Sequence, residues 1–178
     1  MVNSHFSESP RGGVLTLRRA EIADLDAVMA LERRPGYEAL VGRSPRAEHE
    51  QMLASSRYAY WLGSLGSGRP FAFAMLRDLD NPHGNVYLQR IAVDEPGQGR
   101  GTRFLAAVID RAFAESAAHR FYLDCFVENA RARRAYAKLG LTHDGLLREA
   151  YLTAEGTRRD LALMAITRPE WRARRNPS

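Results

Sequence analysis

A glycine-rich turn and two polar side chains downstream of it are the residues of this chain that could do chemistry. The turn holds Gly97, Gly99 and Gly101 between an apolar run and a helix-like segment. Glycines let the backbone turn sharply with bare amides, and amides at a helix start bind phosphate groups. Asn129 and Tyr136 follow seven residues apart, a spacing that places both side chains on one face of a helix. The glycines alone fit a phosphate-binding site and an unliganded strand-to-helix connection equally well.

The elements that must position these residues alternate between strands and helices. Residues 85–93 form an apolar run rich in β-branched side chains, which predicts a central strand covered on both faces. Phe104 to Ala112 repeats apolar residues at helical spacing. The rest of the pattern predicts strands over 14–19, 58–65, 70–76, 119–127, 141–152 and 159–167, and helices over 22–34, 44–55 and 129–139. Ser44 is the expected cap of the helix over 44–55. One α/β domain with a mixed sheet accounts for all of them.

Length and composition exclude several classes of protein. The chain has 178 residues, 45% of them apolar and 26% charged, which is typical of one globular domain. No apolar run approaches the roughly 18 residues of a membrane span, and no secretory signal is visible. Cys125 is the only cysteine, which excludes an internal disulfide and a multi-cysteine metal site. We expect a cytoplasmic protein without membrane partner or metal, with a flexible arm over 1–13, one domain over 14–168 and an Arg-rich tail over 169–178.

The net charge of +5 does not by itself indicate a nucleic-acid partner. Lys138 is the only lysine, and every other basic residue apart from the histidines is an arginine. Basic charge attracts phosphate, but these arginines are scattered and form no sustained basic face. Nucleic acid is therefore not the expected partner.

The turn and the residues after it resemble the GNAT N-acetyltransferases, and the resemblance covers about residues 14–168. The family turn reads Gln or Arg, any two residues, Gly, any residue, then Gly or Ala. Gln98-Gly99-Arg100-Gly101-Thr102-Arg103 matches it except at Arg103, which replaces the small residue. A P-loop would need a lysine in this turn, and a Rossmann fingerprint would need two residues before its third glycine. The resemblance implies an α/β (α+β) GNAT fold, with a central mixed, mostly antiparallel sheet of about six to seven strands and about four helices on both faces.

The resemblance implies acetyl-CoA as the donor of an acetyl group. The turn would offer its amides to the pyrophosphate, the central strand would bind the pantetheine arm, and the helix after the next strand would contact the same arm. The residues that this assigns to the donor are Ile91, Ala92, Val93, Gln98, Gly99, Arg100, Gly101, Thr102, Arg103, Asn129, Ala132 and Tyr136. The family's tyrosine at the position of Tyr136 protonates the departing thiolate, a role that suits a phenol with a pKa near 10.

The sequence predicts the residues that would bind and deprotonate the acceptor amine less clearly than those of the donor site. Many relatives carry a glutamate base on the central strand, but strand alternation places Tyr87 and Gln89 beside Ile91 and Val93, and none of these is a carboxylate. The remaining candidates for the base or for an amine contact are Glu32, Glu38 and Asp124, and a water chain without a dedicated base is an equal alternative. Tyr37 would line an apolar part of the acceptor pocket, and residues 147–151 would close its other side.

Several alternatives therefore stay open. The layout is similar to the branch with ribosomal-protein and diamine acetyltransferases, so the acceptor is either a protein N-terminus or a small amine or polyamine. A non-catalytic CoA-binding module is the alternative function, because of the missing carboxylate and Arg103. An exposed edge strand near the C-terminus makes a homodimer a further candidate.

Overall fold

The structure of the protein is a computed structural model that describes residues 13–38, 40–66, 68–95 and 99–175. Its seven strands are β1 (Leu15–Arg19), β2 (Ala59–Leu65), β3 (Ala72–Arg77), β4 (Asn85–Val93), β5 (Arg120–Phe126), β6 (Thr142–Leu152) and β7 (Arg158–Thr167). Its helices are α1 (Leu25–Glu32), α2 (Arg46–Leu53), α3 (Arg100–Glu115), α4 (Ala130–Lys138) and α5 (Arg168–Arg175), and a 3-10 turn (Ile22–Asp24) precedes α1.

The strands form one sheet in the order β1-β2-β3-β4-β5-β7-β6. Only β4 and β5 pair in parallel, and all other neighbours among the described strands are antiparallel. A parallel pair needs a crossover connection, which here is α3. The predicted mixed, mostly antiparallel sheet is confirmed, with seven strands and five α-helices rather than about four.

Two apolar cores cover the two faces of the sheet. The face that we call the donor face packs against α3, α4 and α5, with Phe104, Phe121 and Trp171 in its core. The opposite face, which we call the acceptor face, packs against α1 and α2 around Tyr60 and Phe73. Because side chains alternate between the faces along a strand, each strand residue near a gap in the sheet belongs to one side or the other.

The segment predicted as an Arg-rich tail contains a short helix packed on the donor face, with Arg172, Arg174 and Arg175 exposed. Residues 168–175 are helical, and Trp171 is buried with its indole N–H donating a 2.8 Å hydrogen bond to Asp110 of α3. The Trp171 ring and the hydrogen bonds of Arg168 and Arg174 to backbone carbonyls fasten this short basic helix to the donor face. The expected arm over 1–13 lies outside the described residues except for Gly13, as do residues 176–178.

The expectation for Ser44 is also wrong in detail. Helix α2 begins after Pro45, and no side chain caps its first turn. The Ser44 hydroxyl instead accepts a 2.9 Å hydrogen bond from the Arg90 guanidinium. Within the described ranges, no helix is both long and apolar enough to cross a membrane.

Candidate active site

A gap between β4 and β5 opens through the middle of the sheet. The two strands pair only from Asn85 to Tyr87 of β4, and the last matched pair is Tyr87 with Tyr122. Beyond that point the strands separate, and a cavity of about 670 Å³ lies between them. Its walls come from β4, β5, the glycine turn, α4 and the segment between α1 and α2. A cleft of this size, open to both faces, can hold an extended ligand arm.

A β-bulge at Gln89 decides which side chains face which side of this cleft. Leu76 of β3 pairs with Leu88 and its neighbour Met75 pairs with Arg90, so Gln89 has no partner in the ladder. The extra residue shifts the alternation by one. As a result Tyr87 and Arg90 lie on the acceptor face, whereas Leu88 and Ile91 lie on the donor face. The prediction that Tyr87 shares a face with Ile91 and Val93 is therefore wrong.

The described part of the glycine turn, from Gly99 onward, lies at one end of the cleft on the donor face. Gly99 has a φ of +72°, a left-handed conformation that favours glycine, and α3 starts at the next residue. A Cβ on Gly101 would lie 3.2 Å from Val93 Cγ2, so this residue is small because the turn packs closely on β4. Both glycines and Thr102 line the cleft. Gln98 lies outside the described residues.

The side chains of the two arginines of the turn, Arg100 and Arg103, do not face the cleft. Arg103 is exposed, and Arg100 lies 3.4 Å from Glu95 in an ion pair. Neither is among the residues that line the cleft. The departure from the family pattern at Arg103 therefore places its side chain in solvent rather than against the cavity.

The backbone of β4 presents hydrogen-bonding groups to the gap. The Asp94 amide donates to the Phe71 carbonyl of the β3 side, so alternate residues beyond the bulge direct their groups toward β3. Ile91 and Val93 consequently direct theirs away from β3 and into the gap, but Ala92 does not. Ala92 is buried and outside the lining, so its predicted contact with a ligand is not provided by this geometry.

The Tyr37 hydroxyl engages the end of β4 from the acceptor side. It donates a 2.8 Å hydrogen bond to the Val93 carbonyl and lies 3.4 Å from the Val93 amide. Arg34 also donates to this carbonyl, at 3.1 Å. These contacts fasten the segment between α1 and α2 to the strand, so that Leu40, Val41 and Gly42 form a wall of the cleft.

Asn129 and Tyr136 meet in the cleft on the donor face. The Asn129 side chain caps α4 by accepting a 3.1 Å hydrogen bond from the Ala132 amide, which leaves its NH₂ group available. Tyr136 is 9% exposed and belongs to the donor-face core. Burial raises the pKa of its phenol well above the usual value, with further contributions from the nearby Cys125 and Asp124. Asn129, Ala132 and Tyr136 all line the cavity.

Asp124 reaches the same cavity from the acceptor face. Phe121 and Leu123 of β5 point into the donor-face core, so Asp124 points to the other side. Its carboxylate accepts a 2.8 Å hydrogen bond from the Tyr87 hydroxyl, and burial raises the pKa of that phenol. The cleft thus has a neutral phenol on one face and a carboxylate on the other.

Glu32 and Glu38 are not in the cleft. Glu32 is fully buried, and its carboxylate accepts a 2.7 Å hydrogen bond from Arg90 and lies 3.2 Å from His49. Burial by itself would raise the pKa of this carboxyl, but the bonds from His49 and Arg90 and the Arg90 charge outweigh it and lower the pKa. Glu38 is exposed and accepts from the Gly36 amide. Their predicted contact with an amine is not provided by this geometry.

The profile of the acetyltransferase (GNAT) family matches residues 25–141, which include most of the cleft. The chain belongs to the GNAT acetyltransferase family. The predicted resemblance to this family is therefore confirmed.

Several proteins are similar to this GNAT chain over part or most of its length. Spermine/spermidine N(1)-acetyltransferase of Bacillus subtilis (strain 168) is 32% identical over 90 residues, which are 49% of this chain and only 59% of that relative. The ribosomal-protein-S18-alanine N-acetyltransferase from Escherichia coli superposes with a TM-score of 0.70 at 25% identity, over 86% of this chain and 94% of that one. Spermidine N-acetyltransferase from Vibrio cholerae in complex with CoA and spermine superposes with a TM-score of 0.76 at 21% identity, over 88% of this chain and 97% of that one.

Several residues that line the GNAT cleft were not among those predicted from the sequence. Arg131, Arg134 and Lys138 border it from α4, at a spacing of three and four residues that a helical projection of the sequence could have shown. Arg90 could not have been found this way, because the β-bulge decides on which face of the sheet its side chain lies. Residues 147–151 were expected at the acceptor side, and only Tyr151 of that stretch lines the cavity. Within the described ranges, no group of three His, Cys, Asp or Glu side chains could hold a metal.

Proposed function

We propose that this chain is an N-acetyltransferase that moves the acetyl group of acetyl-CoA to a primary amine in a ternary complex. One observation carries the proposal: Tyr136 and Asp124 reach one cavity from opposite faces of the sheet, at the point where β4 and β5 separate. Donor and acceptor can then enter from different faces and meet in the gap. Holding both reactants in one geometry converts a bimolecular step into a unimolecular one.

The donor site uses backbone groups more than side chains. The bare amides at the start of α3 suit a pyrophosphate, because unpaired amides and the helix dipole both favour negative charge there. The Ile91 backbone groups that face the gap suit the amides of a pantetheine arm, which would lie against β4 as an added strand. The Val93 carbonyl already accepts hydrogen bonds from Tyr37 and Arg34. The Asn129 NH₂ group is a third contact for the same arm. Positive charge for the phosphate of CoA that is not part of the pyrophosphate comes from three side chains of α4, Arg131, Arg134 and Lys138.

Tyr136 is the proposed general acid. Transfer forms the N–C bond of an amide and breaks the C–S bond of the thioester, so a proton must reach the sulfur. The raised pKa keeps the phenol protonated at neutral pH, and it can give its proton to the thiolate and regain one from solvent. Its buried position on the donor face suits contact with the leaving sulfur rather than with the amine.

Asp124 is the proposed base. An amine near pKa 10 is mostly protonated at pH 7 and must lose a proton before it attacks a carbonyl. Asp124 lies on the face opposite Tyr136, where the amine would approach, and the Tyr87 hydroxyl holds its carboxylate in place. The carboxylate can bind the ammonium form and then accept its proton directly or through water. Tyr37 and Gln89 are proposed as walls of the acceptor pocket.

The test is release of free thiol from acetyl-CoA in the presence of a panel of primary amines. Amine-dependent thiol release, with the acetyl group recovered on the amine by mass spectrometry, is the expected result. Tight CoA binding without amine-dependent release would favour the alternative of a non-catalytic CoA-binding module. The predicted cytoplasmic location, domain boundaries and homodimer stay predictions, and sedimentation of the full chain would test the last of these.

A further inference from the structure

We infer that the acceptor of this chain is an amine with a single positive charge and an apolar neighbouring group, and not a polyamine. This inference rests on the proposed function and concerns the acceptor face of the same cleft. It follows from which charges on that face are free and which are already paired. The relatives named above act on either kind of acceptor, so the charges of this cleft must make the choice.

Asp124 is the only carboxylate that lines the cleft in the described part of the chain. Its one close partner there is the neutral Tyr87 hydroxyl, at 2.8 Å. The charged groups that line the cavity besides Asp124 are all cationic: Arg90, Arg131, Arg134 and Lys138. An ammonium group bound at Asp124 would find no second anion along the cavity walls.

Two acids beside the acceptor face, Asp78 and Asp144, are neutralised by arginines that stack on its aromatic rings. Arg77 lies 4.7 Å from the centre of the Tyr87 ring and pairs with Asp78, and Arg120 lies 4.8 Å from that of Tyr122. Arg120 in turn pairs with Asp144 at 2.6 Å. Asp78 and Asp144 are therefore not free to bind a distant ammonium group.

The same holds at the two ends of the acceptor face. At one end, Glu32 is enclosed by Arg90, Arg33 and His49. At the other end, Arg159 lies 3.9 Å from the centre of the Phe126 ring and pairs with Glu128 at 3.3 Å.

The rest of the acceptor wall is apolar. Leu40 and Tyr151 are 41% and 42% exposed beside the cavity, and Val41 and Leu161 complete the wall. Tyr151 packs edge-on against Phe126, which holds its ring in position. Apolar surface at the mouth of a pocket favours a ligand that can cover it.

A polyamine would fit these walls poorly. Each ammonium beyond the first would lose water against leucine, valine and tyrosine side chains, with an arginine rather than a carboxylate nearby. The net charge of +5 adds long-range repulsion for a polycation. A peptide N-terminus with an apolar first side chain and a small arylalkylamine share the chemistry that the wall selects.

The test compares acceptors at fixed, saturating acetyl-CoA with the full chain. The probes are 2-phenylethylamine, spermidine, spermine and a tetrapeptide amide with a free N-terminus, an apolar first side chain and no charged side chain. We expect kcat/KM for the better monoamine to exceed that for both polyamines by at least about ten-fold, since like charges suppress a wrong partner strongly. Added salt should raise kcat/KM for the polyamines and leave the monoamine value nearly constant, because salt screens repulsion. The ratio of kcat/KM for the tetrapeptide to kcat/KM for 2-phenylethylamine shows whether the acceptor is a peptide N-terminus or a small molecule.

A matched pair of variants tests whether charge sets the choice. Leu40→Asp should raise kcat/KM for spermidine relative to 2-phenylethylamine by about five- to ten-fold more than Leu40→Asn does, because both variants remove the same apolar surface and only Leu40→Asp adds a charge. Leu40 is exposed, so both variants should fold, which far-UV circular dichroism would check. The same ratio in Leu40→Asp and Leu40→Asn would overturn the charge argument.

The outcomes separate this inference from the function on which it rests. Faster turnover of spermidine or spermine than of both monoamines would overturn the inference and leave the acetyltransferase proposal standing. No thiol release with any amine, from a chain that binds CoA, would overturn the proposed function and the inference with it.

Discussion

The Tyr87 hydroxyl donates a 2.8 Å hydrogen bond to the Asp124 carboxylate across the gap where β4 and β5 separate. Both side chains lie on the acceptor face, and Tyr136 lies on the other. If Asp124 accepts the proton of the amine, Asp124→Asn should lower kcat/KM by about 10²-fold or more, because an amide cannot serve as a base. Steady-state thiol release with a monoamine is the measurement.

Tyr87→Phe is the matched control for this prediction. It removes the hydrogen bond to Asp124 but keeps the ring that packs 5.0 Å from that of Tyr122. A loss of only about three- to ten-fold is expected, since the carboxylate remains and is merely less well oriented. Equal activity of Asp124→Asn and the unaltered chain would remove Asp124 from the mechanism.

Tyr136→Phe should lower kcat by about 10²- to 10⁴-fold, the usual scale for a lost general acid. The ring and its packing in the donor-face core persist, so the affinity for CoA should change little. Single-turnover kinetics and calorimetric titration with CoA would measure the two quantities. A loss confined to CoA affinity would show that Tyr136 binds the donor and does not transfer a proton.

The same residue makes a prediction about pH. Burial raises the pKa of the Tyr136 phenol above its ordinary value of 10.0, so the protonated form dominates at lower pH and persists into alkaline solution. Turnover should therefore not decline between about pH 7 and pH 10 through loss of this proton. A pH profile of kcat with a chemical step that limits the rate would check it, and a decline near pH 8 that Tyr136→Phe abolishes would contradict it.

Asn129 is expected to serve both the helix and the donor, and two substitutions can separate these roles. Asn129→Ala should cost about 1 kcal/mol of unfolding free energy through the lost cap, and it should weaken CoA binding. Asn129→Ser keeps a capping oxygen but lacks the NH₂ group, so it should retain stability and still bind CoA several-fold more weakly. Urea unfolding and calorimetry would show whether the two effects separate. Wild-type CoA affinity in Asn129→Ser would limit Asn129 to the cap.

Glu32 is expected to stabilise the fold rather than bind substrate. Glu32→Gln leaves the guanidinium of Arg90 without its buried partner, and this should cost about 3–5 kcal/mol at pH 7. The pKa of Glu32 is lowered by folding, so its stabilisation is present above the unfolded value and is lost as pH falls through the folded value. The difference between variant and unaltered chain should therefore shrink in urea unfolding experiments below about pH 4.5.

Glu38→Gln provides the control on the same segment. Glu38 is exposed, and its substitution should change the free energy of unfolding by less than about 0.5 kcal/mol. Comparable losses in the two variants would mean that the buried network around Glu32 does not stabilise the fold as proposed.

The limits of sequence reasoning are clearest along β4. Strand alternation predicted that the side chains of Tyr87, Gln89, Ile91 and Val93 lie on the same face of the sheet. This prediction is wrong because a bulge adds a residue to β4 and not to β3. Nothing local in the sequence marks this bulge. The same bulge turns Arg90 toward α1, where it pairs with Glu32, a residue that the sequence offered as an amine ligand.

The sequence by itself determined the family and the order of strands and helices from β1 to β7, and it predicted the residues nearest the donor, because these depend on local pattern. The amino-acid sequence directly shows the apolar periodicity, the glycines of the turn and the spacing of Asn129 and Tyr136. Only the tertiary structure decided which carboxylates are free. That depends on side chains more than 30 residues apart meeting across the sheet, as Asp124 meets Tyr87 and Glu32 meets Arg90. Position and pairing in the fold, and not residue type, make Asp124 the one carboxylate that lines the cleft among the described residues.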